Sequence, residues 1–404
     1  MSSHGTGRLV TVRRPAPEAA GEIRAAWDAG HAVLVLNPRA PEPEVGRIVG
    51  WMRPEAGVAP EVAGVVVTSG TSGAPKGVEL TWDGLAASAA AISAALEVGA
   101  GDRWLACLPL HYVAGLAVVG RAWATGTPVT VLAGFDVAAV AEAEASLVSL
   151  VPTMLRRLRD AGADTGRFRR ILLGGGPVRE RGPNIVATYG LTETWGGVVH
   201  DGHPLAGVEL RLGDDDEILI RAPMVMRSYR LAPAETAGAF TAGGWLRTGD
   251  AGTFEPEPGA GAGAGGRLRV IDRLRDLIIT GGVNVSPSEV EAVLGGHPGV
   301  ADVCVAGAPD AEWGERVVAH VVPADPAQPP ALEELRAFAG ERLSAAKLPR
   351  QVVITGEIPR TAGGKPLRRL LAHGEGAERS VPLEDGVIAE VGEQRRRRSS
   401  DKDD

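Results

Sequence analysis

Residues 62–77 read Val-Ala-Gly-Val-Val-Val-Thr-Ser-Gly-Thr-Ser-Gly-Ala-Pro-Lys-Gly. The run through Thr68 is short, apolar and rich in β-branched residues, which predicts a buried strand over 62–68. Thr68-Ser69-Gly70-Thr71-Ser72-Gly73-Ala74-Pro75-Lys76-Gly77 then crowds hydroxyls and glycines into one loop that ends on a lysine. Glycines let backbone N–H groups come close to a polyanion, the hydroxyls add donors, and Lys76 adds positive charge. The segment therefore predicts a loop that wraps phosphates. It is not a Walker A loop, which needs a Ser or Thr directly after the lysine, where this chain has Gly77. A P-loop NTPase or kinase is thereby disfavoured.

Outward from this loop, strand-like and helix-like segments alternate. Trp82, Leu85, Ala89, Ile92 and Leu96 are spaced 3, 4, 3, 4 and mark one face of a helix. WLACLPL, a helix near 113–125, PVTVL, SLVSLVP, the basic helix TMLRRLRDAG, RRILLGG and NIVATYG follow. Such alternation predicts an open α/β sheet with helices on its faces. The first 60 residues are Pro/Ala-rich and show one clear strand, 31–38. Past 207 the pattern turns to antiparallel hairpins, with turns at 213–216 and in the low-complexity run 255–266. From 273 a compact α+β unit begins, and the tail 376–404, ending QRRRRSSDKDD, reads as disordered. The expected organisation is a large α/β domain (1–272) of stacked sheets with a β-rich subdomain, then a small mobile α+β domain (273–375).

With 404 residues the chain exceeds one ordinary core. Its 44% hydrophobic and 23% charged residues fit a globular protein, and a formal charge of −8 disfavours nucleic acid or an anionic membrane as partner. No segment has the apolar length of a membrane span, and MSSHGTGRLV is not a signal peptide. Cys107 and Cys304 sit in apolar runs and read as buried, reduced core residues. The reduced cysteines and the lack of an address signal point to the cytoplasm, and a homodimer is allowed.

Further motifs follow in order. Gly174-Gly175-Gly176-Pro177 is a further glycine run, and Tyr189-Gly190-Leu191-Thr192-Glu193-Thr194 combines a ring, a hydroxyl and a carboxylate able to hold Mg²⁺. Trp245-Leu246-Arg247-Thr248-Gly249-Asp250 offers a carboxylate suited to two ribose hydroxyls. Asp272-Arg273-Leu274-Arg275-Asp276 and Pro359-Arg360-Thr361-Ala362-Gly363-Gly364-Lys365 complete the set. Taken together, residues 62–371 resemble the adenylate-forming superfamily of acyl-CoA synthetases, peptide-synthetase adenylation domains and beetle luciferases.

The resemblance implies that ATP with Mg²⁺ activates a carboxylic acid as an acyl-adenylate, followed by transfer to coenzyme A. It gives ATP contacts to Thr68–Gly73, Lys76, Gly174–Gly176, Tyr189, Gly190, Asp250 and Arg273. It also gives phosphate and metal roles to Thr192 and Glu193, and the catalytic ammonium to Lys365. Arg275 becomes the hinge, where Asp or Lys is usual, and Asp272 stands where Gly is usual. Gly281-Gly282 would line a pantetheine tunnel, while Lys347 is either a coenzyme A phosphate contact or simply solvated. His111 and Tyr112 occupy the acyl gate with their usual order exchanged, so either ring qualifies.

Arg121 places a cation on an otherwise apolar helix beside the acyl pocket, where it would pair a second carboxylate. Gly196-Gly197 would leave room for an aromatic ring. Within the superfamily these features resemble the o-succinylbenzoate–CoA ligases of menaquinone biosynthesis. Other aryl- or medium-chain acyl-CoA ligases, enzymes serving a carrier protein, and an inactive nucleotide-binding relative are the alternatives.

Overall fold

The computed structural model describes residues 7–68, 75–178, 180–256, 266–360 and 366–371. Strand Val62–Thr68 forms as expected, and Val62 through Val66 are buried. It pairs antiparallel with Lys76–Thr81, Thr68 standing opposite Lys76. The strands on either side of the hydroxyl-rich segment therefore pair with each other, antiparallel. A P-loop, by contrast, leads from a strand into a helix.

This hairpin belongs to a five-stranded sheet that also holds Leu9–Val12, Ala32–Val35 and Ser228–Tyr229. The N-terminal region holds more than the single strand expected: helices Ala16–Asp28 and Glu42–Met52 stand between the strands. Both start with prolines in the first turn, where a missing N–H costs nothing. Alanines Ala19, Ala20 and Ala26 supply most of the buried face around Ile23, so the first helix carries few large apolar residues to mark it.

A seven-stranded sheet follows. Its parallel centre comprises Trp104–Ala106, Val129–Val131, Leu147–Leu150, Arg170–Leu173 and Ile185–Leu191, and Gly196–His200 and His203–Pro204 are added antiparallel at one edge. Its residues alternate between two cores. Leu105, Val148, Leu150, Ile171 and Leu173 face Leu155 and Leu158 of helix Pro152–Asp160. Trp104, Ala106, Leu147, Leu172 and Val198 face the opposite side, together with residues of the five-stranded sheet.

Helices Trp82–Ala95 and Val113–Thr125 belong to that second core and pack on each other. Thr81 caps the first, accepting a hydrogen bond from the Gly84 amide at 3.0 Å. Leu85, Ala89, Ile92 and Leu96 are buried as their spacing predicts, and Trp82 meets Trp27 edge-on. The second helix ends at Gly126 in the left-handed conformation.

The expected hairpins assemble as a four-stranded antiparallel sheet of Glu209–Leu212, Glu217–Arg221, Leu246–Glu255 and Arg267–Arg273. Beyond it, strands Ile278–Thr280, Val283–Val285, Val300–Asp310, Gly314–Pro323 and Gln351–Ile354 form another sheet. That sheet and helices Pro287–Leu294 and Leu332–Gly340 bury a core of their own. Cys107 and Cys304 are both buried and free.

Candidate active site

Long-range pairing brings the motifs together. Asp250, on strand Leu246–Glu255, stands opposite Arg273 in the antiparallel register. The Arg273 guanidinium pairs with the Asp250 carboxylate at 2.8 Å and donates to the Thr248 carbonyl at 3.1 Å. Tyr189 reaches across from the seven-stranded sheet and donates its hydroxyl to Asp250 at 2.8 Å. Burial, followed by the Asp250 charge, pushes the Tyr189 phenol well above its ordinary range, so it remains a donor.

A second group lies beside this one. Tyr229 donates to Glu193 at 2.8 Å, and the Lys76 ammonium sits over the Tyr229 ring at 4.8 Å. Strand Ser228–Tyr229 pairs with Lys76–Thr81, and the Met226 amide donates to the Glu193 carbonyl at 2.7 Å. One short segment thus ties the end of the hydroxyl-rich loop to the Thr192–Thr194 turn. Burial first, then the charge of Glu193, raises the Tyr229 phenol, while Arg273 opposes the rise. Arg273 therefore links the two groups electrostatically.

Tyr229 was not among the residues expected from sequence. A usable signal existed: the chain has only 3 tyrosines, and the other two, Tyr112 and Tyr189, had both been singled out.

Glu193 offers a single carboxylate with one oxygen engaged by Tyr229. That suits Mg²⁺, which keeps waters and takes further ligands from nucleotide phosphates. Among the described residues, no cluster of three His, Cys, Asp or Glu forms a dedicated metal cage.

Close backbone approach explains the glycines after the turn. Gly190 pairs with Gly197, and a Cβ on Gly190 would come 1.8 Å from the Gly196 carbonyl. Gly174 packs against Thr188, and Gly175 has φ +81°. Ser69–Gly73 and Lys365 lie outside the described residues.

At the expected acyl gate, His111 and Tyr112 lie 4.3 Å apart, ring centre to ring centre. His111 is the more enclosed, and burial lowers its pKa to about 4; Tyr112 is exposed. Arg121 is 4% exposed, and its guanidinium stacks on the Trp104 ring at 4.7 Å. Its Nε and Nη1 have no hydrogen-bond partner among the described residues.

In the small sheet, Gly281 and Gly282 make the turn between strands Ile278–Thr280 and Val283–Val285, both at positive φ. Lys347 is held by Glu289 at 2.6 Å, so an incoming phosphate would have to displace a carboxylate. Arg275 is half-exposed, 3.6 Å from Asp276. The departure at Asp272 has a local cause: its carboxylate accepts from the Ser286 hydroxyl and the Ser288 amide at 3.0 Å. It thereby anchors the start of helix Pro287–Leu294 to strand Arg267–Arg273.

Residues 51–230 match the family model for AMP-binding enzymes, and 289–365 match the C-terminal domain of AMP-binding enzymes. A probable 2-succinylbenzoate–CoA ligase of Mycobacterium tuberculosis is 38% identical over 344 residues, covering 80% of this chain and 87% of that protein. The chain belongs to the AMP-binding enzyme family. A 2-succinylbenzoate–CoA ligase of Bacillus subtilis is 35% identical over 346 residues, covering 76% and 68%. The solved o-succinylbenzoate CoA synthetase of Bacillus subtilis, in complex with its acyl-adenylate intermediate, superposes with a TM-score of 0.78 at 29% identity. That match covers 90% of this chain and 87% of the other. The expected adenylate-forming fold and the ATP-dependent ligase class are thereby borne out.

Proposed function

We propose that this protein is an ATP-dependent 2-succinylbenzoate–CoA ligase of menaquinone biosynthesis. A carboxylate oxygen of the acid attacks the α-phosphorus of ATP, and pyrophosphate leaves. The thiol sulfur of coenzyme A then attacks the acyl carbon, AMP leaves, and the thiol proton goes to solvent. The relatives support the class of reaction, and the buried Arg121, whose Nε and Nη1 lack a partner among the described residues, supports a substrate with a second carboxylate.

In this reading, Asp250 accepts from the ribose hydroxyls while Arg273 and Tyr189 hold its carboxylate in place. Lys76, Thr192 and the Thr68–Gly73 loop bind phosphates. Glu193 would hold Mg²⁺, which supplies charge neutralisation at the phosphates. Residues 1–272 carry these groups except Arg273, which opens the second domain, and residues 273–375 deliver Lys365 to the α-phosphate. Rotation about Arg275 then exchanges Lys365 for Gly281-Gly282 at the pantetheine tunnel. Among the described residues no helix is long and apolar enough to cross a membrane.

The test is acid-dependent pyrophosphate release from ATP over a panel of aryl and alkyl acids, with the thioester identified by mass. Selective response to 2-succinylbenzoate is expected. Response to another acid alone would move the substrate assignment, and no response to any acid would favour an inactive relative.

A further inference from the structure

Most of the buried side-chain polar atoms that lack a hydrogen-bond partner among the described residues lie in one layer. They are Arg121 Nε and Nη1, Trp104 Nε1, Ser149 Oγ, Thr188 Oγ1, and both ring nitrogens of His200. Strand alternation puts them on the same side of the seven-stranded sheet. Trp104 belongs to the core that holds helix Val113–Thr125, whereas Leu105 belongs to the opposite one. Ser149 lies between Val148 and Leu150, both on the opposite side, so it turns toward Trp104's side. Thr188 shares its face with Val186, which packs in the Trp104 core, and His200 pairs directly opposite Thr188. Helix Val113–Thr125 lays Arg121 over this layer and contacts strands Trp104–Ala106 and Gly196–His200.

A core that merely packs would not concentrate unsatisfied donors at one spot, because each costs stability. Resting on the ligase reading above, we propose that His200 and Arg121 together hold the substrate's unreacted carboxylate, which makes His200 a specificity-determining residue. An anion there accepts from the guanidinium and from one imidazole N–H, and thereby satisfies groups the protein leaves open. Burial, with the Arg121 charge beside it, lowers the His200 pKa to about 4. The imidazole is thus neutral at ordinary pH, and the anion meets one full positive charge. Gly197 keeps the approach open: a Cβ there would lie 2.1 Å from Thr188 Oγ1 and 3.8 Å from His200 Nε2.

The experiment compares wild type with His200→Leu and His200→Gln by pyrophosphate release. The acids are 2-succinylbenzoate and two analogues that each lack one of its carboxylates. His200→Leu should raise KM for the dicarboxylate about tenfold or more, the loss expected of a hydrogen bond to a charged group. It should leave kcat within about twofold. KM for the accepted monocarboxylate should stay unchanged, and His200→Gln should recover part of the dicarboxylate affinity. Thermal unfolding of His200→Leu should stay level or rise, because an unpaired imidazole has been replaced by an apolar side chain.

Equal KM changes for all acids, no change for any, or a lowered unfolding temperature with general loss would overturn the role of His200. Should His200→Leu not fold, His200→Gln is judged by the same dicarboxylate selectivity. Wild type that ignores 2-succinylbenzoate would instead refute the ligase assignment on which the inference stands.

Discussion

Tyr229 donates its hydroxyl to Glu193 at 2.8 Å, joining the five-stranded sheet to the turn between two strands of the seven-stranded sheet. The same ring lies under the Lys76 ammonium. One side chain therefore sets the distance between a cation and an anion that would both serve the triphosphate. Tyr229→Phe keeps the ring and removes only the donor. Loss of a charge-assisted hydrogen bond predicts a drop of about tenfold in kcat/KM for adenylate formation, with a higher Mg²⁺ requirement. Tyr229→Ala also removes the platform for Lys76 and should be worse. Steady-state pyrophosphate release at varied Mg²⁺ checks both, and an unaltered Mg²⁺ dependence in Tyr229→Phe would separate Tyr229 from the metal site.

Asp250 is held from two sides, by Arg273 at 2.8 Å and by Tyr189 at 2.8 Å. It is 5% exposed, so its orientation is fixed before any nucleotide arrives. Asp250→Asn keeps the shape and discards the charge. KM for ATP should rise about tenfold or more, with a smaller effect on KM for the acid. The same change leaves Arg273 without its counter-charge, so the unfolding temperature should fall as well. Unchanged nucleotide affinity, measured by calorimetry, would count against a ribose contact.

Much of this arrangement was legible in the sequence. Where apolar residues run together, local composition sufficed: strand Val62–Thr68 and helix Val113–Thr125 fall in the segments expected of them. The helix Ala16–Asp28 was not legible, because its buried face is largely alanine. Tyr229 escaped for a different reason. Its place depends on pairing Ser228–Tyr229 with a strand some 150 positions earlier, and no local pattern encodes that register. His200 is similar, since its neighbour Thr188 is defined only once Gly190 and Gly197 allow two strands to approach. Asp272 looked like a departure from the family pattern until Ser286 and Ser288 were seen to use its carboxylate.

Lys365 follows Gly363-Gly364 in the sequence and was assigned the catalytic ammonium there. Lys365→Ala should slow adenylate formation by about 10²-fold or more, the scale of one well-placed electrostatic contact in a transition state. Thioester formation from pre-made acyl-adenylate should be nearly unaffected, because the lysine is not asked to act in that half-reaction. Single-turnover measurements of the two steps separate them. Equal loss in both would reject a domain that swings between two roles.

Arg121 gives the sharpest contrast between stability and function. Its guanidinium is buried against Trp104, with Nε and Nη1 unpaired among the described residues, and burial lowers its pKa to about 10. Unsatisfied buried donors each cost on the order of 1–3 kcal/mol. Arg121→Met retains most of the volume and removes that cost, so the protein should unfold at an equal or higher temperature. Binding of a dicarboxylate should weaken about a hundredfold, since the cation proposed to pair the second carboxylate is gone, while a monocarboxylate should be accepted as well as before or better. A purely structural arginine predicts the reverse: lower stability and equal losses for every acid. Thermal unfolding together with KM for the two classes of acid therefore decides whether Arg121 is kept for packing or for the substrate.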